Sequence, residues 1–248
     1  MVGSPVTRHA CVYAVGLATL VVTTILAQTS PRLLVGPFSL LPPGGMPAGW
    51  EQMRFSGIDV ETEYTLVSQD GRVVLQARSA MSASAALKRV AIDVTRRPVV
   101  EWSWRTSPDC YLGNWQDPER DDFPLRLFVI FEPTGGIFSR LKRLGPGFQG
   151  DALVYVPQAV PPQASDPTSH VNSRIKVLAV EPIASPGPGG AAADGWVRHR
   201  RDMRADYLEL FGREPGTVSG VAVMTDTDNT GTACVSYFGD IAFLESVS

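Results

Sequence analysis

Turn residues cut the apolar sequence between residues 50 and 244 into short runs, and that punctuation limits the available folds more than any motif does. The runs at 50–55, 64–67, 73–77, 87–94, 99–105, 123–131, 153–156, 175–180, 218–224 and 235–244 have the length and the β-branched, aromatic or alternating character of strands. Between the second and third lies Gln69-Asp70-Gly71, where Asp-Gly supplies the positive-φ residues of a tight hairpin and so fixes the register of both strands. Run 123–131 is apolar on both faces except at Arg126 and reads as a central buried strand. Helical period occurs in one segment: Met203, Tyr207, Leu210 and Phe211 recur at i, i+4, i+7 and i+8, with Gly212 placed to end the helix. Many strands and one short helix predict an all-β fold, an antiparallel jelly-roll-like β-sandwich of galactose-binding or concanavalin-like type, with the helix across one sheet edge.

The 248 residues are 44% hydrophobic and 19% charged, enough for one sizeable core, so a single domain is expected over 49–248. A Pro/Gly-rich lead over 28–48, expected to be flexible, precedes it. Residues 1–27 read as an export signal: Arg8 and His9, an almost uncharged stretch over 10–27, and a small residue at Ala27. Ile25, at the minus-three position, is bulkier than the usual alanine, and the stretch is near the minimum for crossing a bilayer, so an uncleaved anchor is the alternative. Either reading predicts an exported domain, periplasmic, secreted or held at the inner membrane, with membrane contact only through this segment. Cys11 precedes the apolar run, on the wrong side for a lipoprotein cysteine; removal of the signal would leave only Cys110 and Cys234, and an oxidising compartment permits them to pair. A formal charge of -3 gives no field that would gather polyphosphate, so nucleic acid is not an expected partner. The clusters Arg140, Lys142, Arg143 and Arg198, Arg200, Arg201 read as solvated faces.

The densest polar motif is Thr225-Asp226-Thr227-Asp228-Asn229-Thr230-Gly231, directly after an apolar strand. Asp226-x-Asp228-x-Thr230-Gly231 matches the first half of a calcium loop, in which alternate oxygens converge and a glycine permits the sharp turn. The twelfth position is Tyr237 rather than a bidentate glutamate, and a strand precedes the loop, so it is not an EF-hand. Two readings stay open: a simpler calcium or polar-ligand site through Asp226 and Asp228, or Asx-turns in which Asp226, Asp228 and Asn229 cap their own hairpin.

Arg126 needs a counter-charge if buried, or a cleft in which a polar substrate supplies oxygens. Strand alternation would put Asp122 on its face, and Asp240 or Glu101 are the expected internal partners. Trp102 and Trp104 lie opposite Glu101, Ser103 and Arg105, so they read as core rather than as a sugar platform. Trp115, in the loop 111–119, is the better candidate for an exposed stacking aromatic. His9, His170 and His199 have no metal-ligand spacing, and no nucleophile elbow, phosphate loop or Cys-x-x-Cys is present. Acid–base chemistry would need Asp122, Arg126, His170 or Tyr237 brought together in space.

Several blocks, in order and spacing, resemble the bacterial domain of unknown function 3047 family: Val100-Glu101-Trp102-Ser103-Trp104-Arg105, Asp121-Asp122-Phe123-Pro124-Leu125-Arg126-Leu127-Phe128-Val129, the helix ending Phe211-Gly212, Met224 to Gly231, and Tyr237-Phe238-Gly239-Asp240-Ile241. The resemblance implies an exported bacterial domain and brings no reaction with it. The chain departs from the family at Pro157, where an aromatic usually follows Tyr155-Val156, and its Pro-rich loop there is enlarged. The expected function is non-catalytic binding of a carbohydrate or other cell-envelope polymer, through Asp122, Arg126, Asp226, Asp228, Asn229, Tyr237 and Trp115. The alternatives are a polysaccharide lyase or hydrolase, with Arg126 neutralising an acidic sugar and Tyr237 or His170 moving protons, and a structural envelope protein.

Overall fold

The computed structural model describes Met1 and residues 32–107, 110, 113–133, 150–157, 166–180 and 195–245. The expected export signal, most of the Pro-rich loop after Pro157 and the basic cluster at Arg140 lie outside the described residues. The strands are β1 (Arg32–Gly36), β2 (Glu51–Met53), β3 (Glu63–Gln69), β4 (Arg72–Ala80), β5 (Ala85–Ile92), β6 (Val99–Thr106), β7 (Arg126–Phe131), β8 (Ala152–Pro157), β9 (Ile175–Val180), β10 (Val197–Asp202), β11 (Val218–Met224), β12 (Ala233–Phe238) and β13 (Ile241–Leu244), with one helix, α1 (Met203–Phe211), between β10 and β11.

They form an all-β sandwich of jelly-roll type. One sheet runs β1-β13-β6-β12-β4-β3, with β10 on the remaining side of β6, and the other runs β2-β5-β11-β7-β8-β9. The β3–β4 hairpin turns through Asp70 (φ 50°) and Gly71 (φ 78°), and Gln69 faces Arg72 across it, as the dipeptide requires. Among the described strands only β8 and β9 pair in parallel, which a tight turn cannot connect; part of the connection, 166–169, returns along β9 through Val177 N–H to Pro167 O (2.7 Å) and Ser169 N–H to Ile175 O (3.1 Å).

The expected single strand 235–244 is two strands laid end to end along β6. Gly239 marks the break, because a Cβ there would lie 2.2 Å from Ser103 Oγ. Asp240 leaves the ladder and accepts Ser39 N–H (2.8 Å) and Ser39 Oγ–H, and at this point the outer neighbour changes from β4 to β1. The stretch 28–48 is accordingly not all a flexible lead: β1 pairs with β13, and Phe38 is fully buried against Trp50.

Between the sheets, Val100, Trp102 and Trp104 of β6 meet Leu127, Val129 and Phe131 of β7 and Leu153 and Tyr155 of β8. Both tryptophans are core, each at most 2% exposed. A large side chain buried in this way contributes about 1.5–3 kcal/mol. Asp202 caps α1 by accepting Ala205 N–H (3.0 Å), and Gly212 ends it at φ 67°. Met203 and Tyr207 reach into the same core, and Tyr207 packs on Phe131. The helix touches β6 and β10 of one sheet and β8 of the other, so it closes a side of the sandwich instead of lying across a single sheet edge.

Candidate functional site at the loop end

β11 and β7 are antiparallel with Met224 opposite Arg126, so the chain leaving β11 returns beside the chain entering β7. That geometry joins the polar motif after β11 to Asp121 and Asp122. Asp226 N–H donates to Phe123 O (3.2 Å), and Phe123 N–H donates to Asp226 Oδ1 (3.0 Å). Arg126 grips the same carboxylate as a fork, Nε to Oδ1 (3.1 Å) and Nη2 to Oδ2 (2.8 Å), and Nη2 also reaches Asp121 Oδ1 (2.9 Å) and the Asp121 carbonyl. Arg126 is 5% exposed and Asp226 3%.

The partners of Arg126 are thus Asp226 and Asp121, not Asp240 or Glu101. Asp240 is occupied by Ser39, and Glu101 pairs with Arg32. Residues 121–125 are not a strand, so the alternation that placed Asp122 beside Arg126 does not operate there. Asp122 has a different task. Only 1% exposed, it accepts Asn229 N–H (3.1 Å), Thr230 N–H (2.6 Å) and Thr230 Oγ–H, capping the turn from a segment more than a hundred residues away in sequence. Asn229 Nδ2 donates to Pro118 O (2.8 Å), and Gly231 takes the left-handed conformation (φ 66°) that closes the turn.

Burial pushes the Asp226 carboxyl up to about 6, against the pull of the Arg126 guanidinium and the Phe123 amide, so it is ionised near neutral pH. Asp228, half-buried, is also raised, again chiefly by burial. Asp122, Asp226 and Asp228 each place an oxygen within 4.8 Å of the others, which is the spacing of a cation cluster. The donor set fits a cation poorly. Asp226 is already on Arg126 and Asp122 on the loop amides, so a calcium ion would have to displace those donors and sit beside a guanidinium. Among the described residues Asp228 is the one acid of the three to which no other residue donates.

Two of the sequence candidates lie elsewhere in character or in place. Trp115 is 4% exposed, packs on Phe123 and donates Nε1–H to Asp166 O (3.0 Å), so it is buried structure under the loops and not a stacking platform. Tyr237 alternates with Ser236 and Phe238, which point inward, Ser236 donating to Pro124 O (2.6 Å). Its ring lies on the outer face of the seven-stranded sheet beneath the Arg105 guanidinium (5.0 Å), away from Arg126. His170 does reach the loop end: its Nδ1 is 3.1 Å from Trp115 O and 3.5 Å from Asp121 Oδ2.

Cys110 and Cys234 are joined, with Cα atoms 5.2 Å apart, tying the segment ahead of the 113–125 loop to the start of β12. An open groove of about 550 Å³, bordered by Glu61, Glu63, Arg78 and Ser107, lies beside the disulfide, and nothing in the sequence pattern marks it. Sequence reasoning also missed Asp121 as a partner of Arg126 and Thr230 as a donor to Asp122. The Asp121-Asp122 pair ahead of an arginine-bearing strand was the available signal, but it does not say which acid does which task.

The fold and this site define a β-sandwich domain whose loop end is sealed by a buried arginine–aspartate network. The chain belongs to the family described as protein of unknown function (DUF3047), whose profile matches residues 48–242. No curated protein gives a significant sequence match. Among solved structures, it is similar to the family 30 carbohydrate-binding module of a cellulosomal cellulase from Clostridium thermocellum (12% identity, 87% of this chain and 99% of that one, TM-score 0.40). It is also similar to the K1 cleaved adhesin domain of Lys-gingipain from Porphyromonas gingivalis W83 (9% identity, 88% and 99%, TM-score 0.39). A further similarity is to the glycoside hydrolase domain of Endo-D from Streptococcus pneumoniae R6 (8% identity, 80% and 22%, TM-score 0.35).

Proposed function

We propose that this chain is an exported, non-catalytic β-sandwich module that binds a carbohydrate or another cell-envelope polymer. The observation that carries the reading is the state of Arg126. Its guanidinium is spent on Asp226 and Asp121 below the surface, while Asp228 and the exposed Asn229 border solvent on a turn held rigid from beneath. A rim fixed by buried hydrogen bonds loses little freedom when it takes a ligand, and this favours binding through a few oriented polar groups. Lyase or hydrolase chemistry through Arg126 and Tyr237 would need both in one groove, and they lie on different sheets; His170 reaches the loop end, but the Arg126 guanidinium there is buried and held by Asp226 and Asp121.

The test is an array of cell-envelope and storage polysaccharides probed with the purified chain. The expected result is retention of at least one polysaccharide at unchanged chain length, weakened roughly tenfold by Asp228→Ala. Shortening of the retained polysaccharide, or no retention at all, overturns the reading.

A further inference from the structure

A group of arginines away from the loop end lies on the outer face of the seven-stranded sheet. Alternation builds it. In β10, His199 is buried on Trp102, so Arg198 and Arg200 point outward. In β4, Leu75 and Ala77 face the core, so Arg72 and Arg78 point outward. Cross-strand pairing places Arg198 opposite Ser103, Arg200 opposite Glu101, and Tyr237 between Arg105 and Gln76 on the same surface. Arg32 completes the set from β1, where it pairs with Glu101.

The strands contribute only Glu63, Glu101 and Asp202 as carboxylates to this face, and Asp202 is occupied as the cap of α1. Arg105 is paired with Asp70 (2.9 Å). Arg72 lies over the Trp196 ring (4.1 Å), and Arg78 Nε donates to Gln76 Oε1 (2.8 Å). Among the described residues, Arg72, Arg78, Arg198 and Arg200 make no ion pair with a carboxylate, and Arg78, Arg198 and Arg200 are exposed. With Asp70 added to the three strand carboxylates, and Glu63 directly opposite Arg78, the positive excess of this face is small and is concentrated at Arg198 and Arg200. The sequence cluster Arg198-Arg200-Arg201 is divided by the fold: Arg201 turns to Asp206, and the other two join arginines from β1, β4 and β6.

We infer that this face is a binding surface for an acidic, carboxylate-bearing polysaccharide. The inference goes beyond the loop-end reading and does not depend on Asp228. Every basic residue on the face is arginine, whose planar fork matches a carboxylate with two parallel hydrogen bonds. Arg198 and Arg200 are about 6.8 Å apart along β10, so two forks stand in one row that a polymer carrying repeated carboxylates can meet together. An anionic bilayer fits less well. Among the strands of this sheet, Leu34 is the one large exposed apolar side chain on the face, at its β1 margin, whereas surface-seeking proteins insert several.

The experiment measures binding of the full chain to polygalacturonate, to dextran as a neutral polymer, and to phosphatidylglycerol vesicles. Binding to polygalacturonate, weakened by added salt and absent with dextran, is expected. Arg198→Gln with Arg200→Gln, and separately Arg78→Gln, should each weaken it roughly tenfold at an unchanged melting midpoint, while Asp228→Ala leaves it intact. Equal binding by wild type and arginine variants, dextran bound as tightly, or vesicles bound in place of polygalacturonate would overturn the inference. A neutral polysaccharide held through Asp228, with the arginine variants silent, would overturn it while leaving the proposed function standing. Loss of all polysaccharide binding would overturn both.

Discussion

Arg126 and Arg200 carry the same guanidinium at two depths of one sandwich. Arg126, at the start of β7, is enclosed by loops and receives three carboxylate contacts from two aspartates. Arg200, on edge strand β10, points outward from a sheet with few acids. In the first environment, desolvation is so costly that the charge is tolerable only with its partners in place, and the network serves folding. In the second, water already stabilises the charge, so folding gains little from it and it stays available to a ligand. Two arginines that look alike in sequence are therefore assigned opposite tasks by depth.

The sharpest way to break this contrast is Arg126→Met. It leaves Asp226 and Asp121 buried without a counter-charge and should cost about 3–5 kcal/mol in urea unfolding. Adding Asp226→Asn should return part of that loss, because the stranded charge is removed as well. Arg200→Gln in the same assay should leave the midpoint where it was, and equal losses for the two arginines would end the distinction. Next in size is the covalent tie to the loop end: Cys110→Ser with Cys234→Ser should cost about 2–4 kcal/mol, read as a lower melting midpoint that reductant no longer affects.

A smaller effect comes from pH. The Asp226 carboxyl is raised in the folded state from 3.8 to about 6, so between these values the native chain holds more protons than the unfolded one. Stability should therefore fall as pH rises through that window, and the Asp226→Asn variant should lack this part of the slope in urea midpoints. The smallest expected effect is none. Melting in calcium and in chelator should give the same midpoint, because Asp122 and Asp226 already spend their oxygens on protein donors; a rise with calcium would show that Asp228 recruits them to an ion after all.

Much of the framework was legible. Strands 175–180 and 218–224, the Asp70-Gly71 hairpin, the helix with Gly212 at its end and the core role of Trp102 and Trp104 all follow from period and turn chemistry, which are local. β1 and β10 were missed for opposite reasons. β1 sits in a stretch whose prolines and glycines suggest a flexible lead, and β10 hides its alternation under three arginines, with His199 the buried member. At the loop end, the motif 225–231 was visible as a site of some kind. Its pairing was not, since Asp226 reaches Arg126 exactly one hundred positions earlier and Asp122 reaches Thr230 from a segment without strand alternation.

By itself, then, the sequence determined the all-β class, the hairpin register, the helix and the residues able to carry charge, because each depends on neighbours within a few positions. Only the tertiary structure decided which aspartates hold Arg126, that Trp115 is buried, that Tyr237 faces away from the loop end, and that scattered arginines share one sheet face. Burial and ion pairing depend on what the strand order brings together, and β7 beside β11 or β10 beside β6 is a long-range choice that no local pattern states.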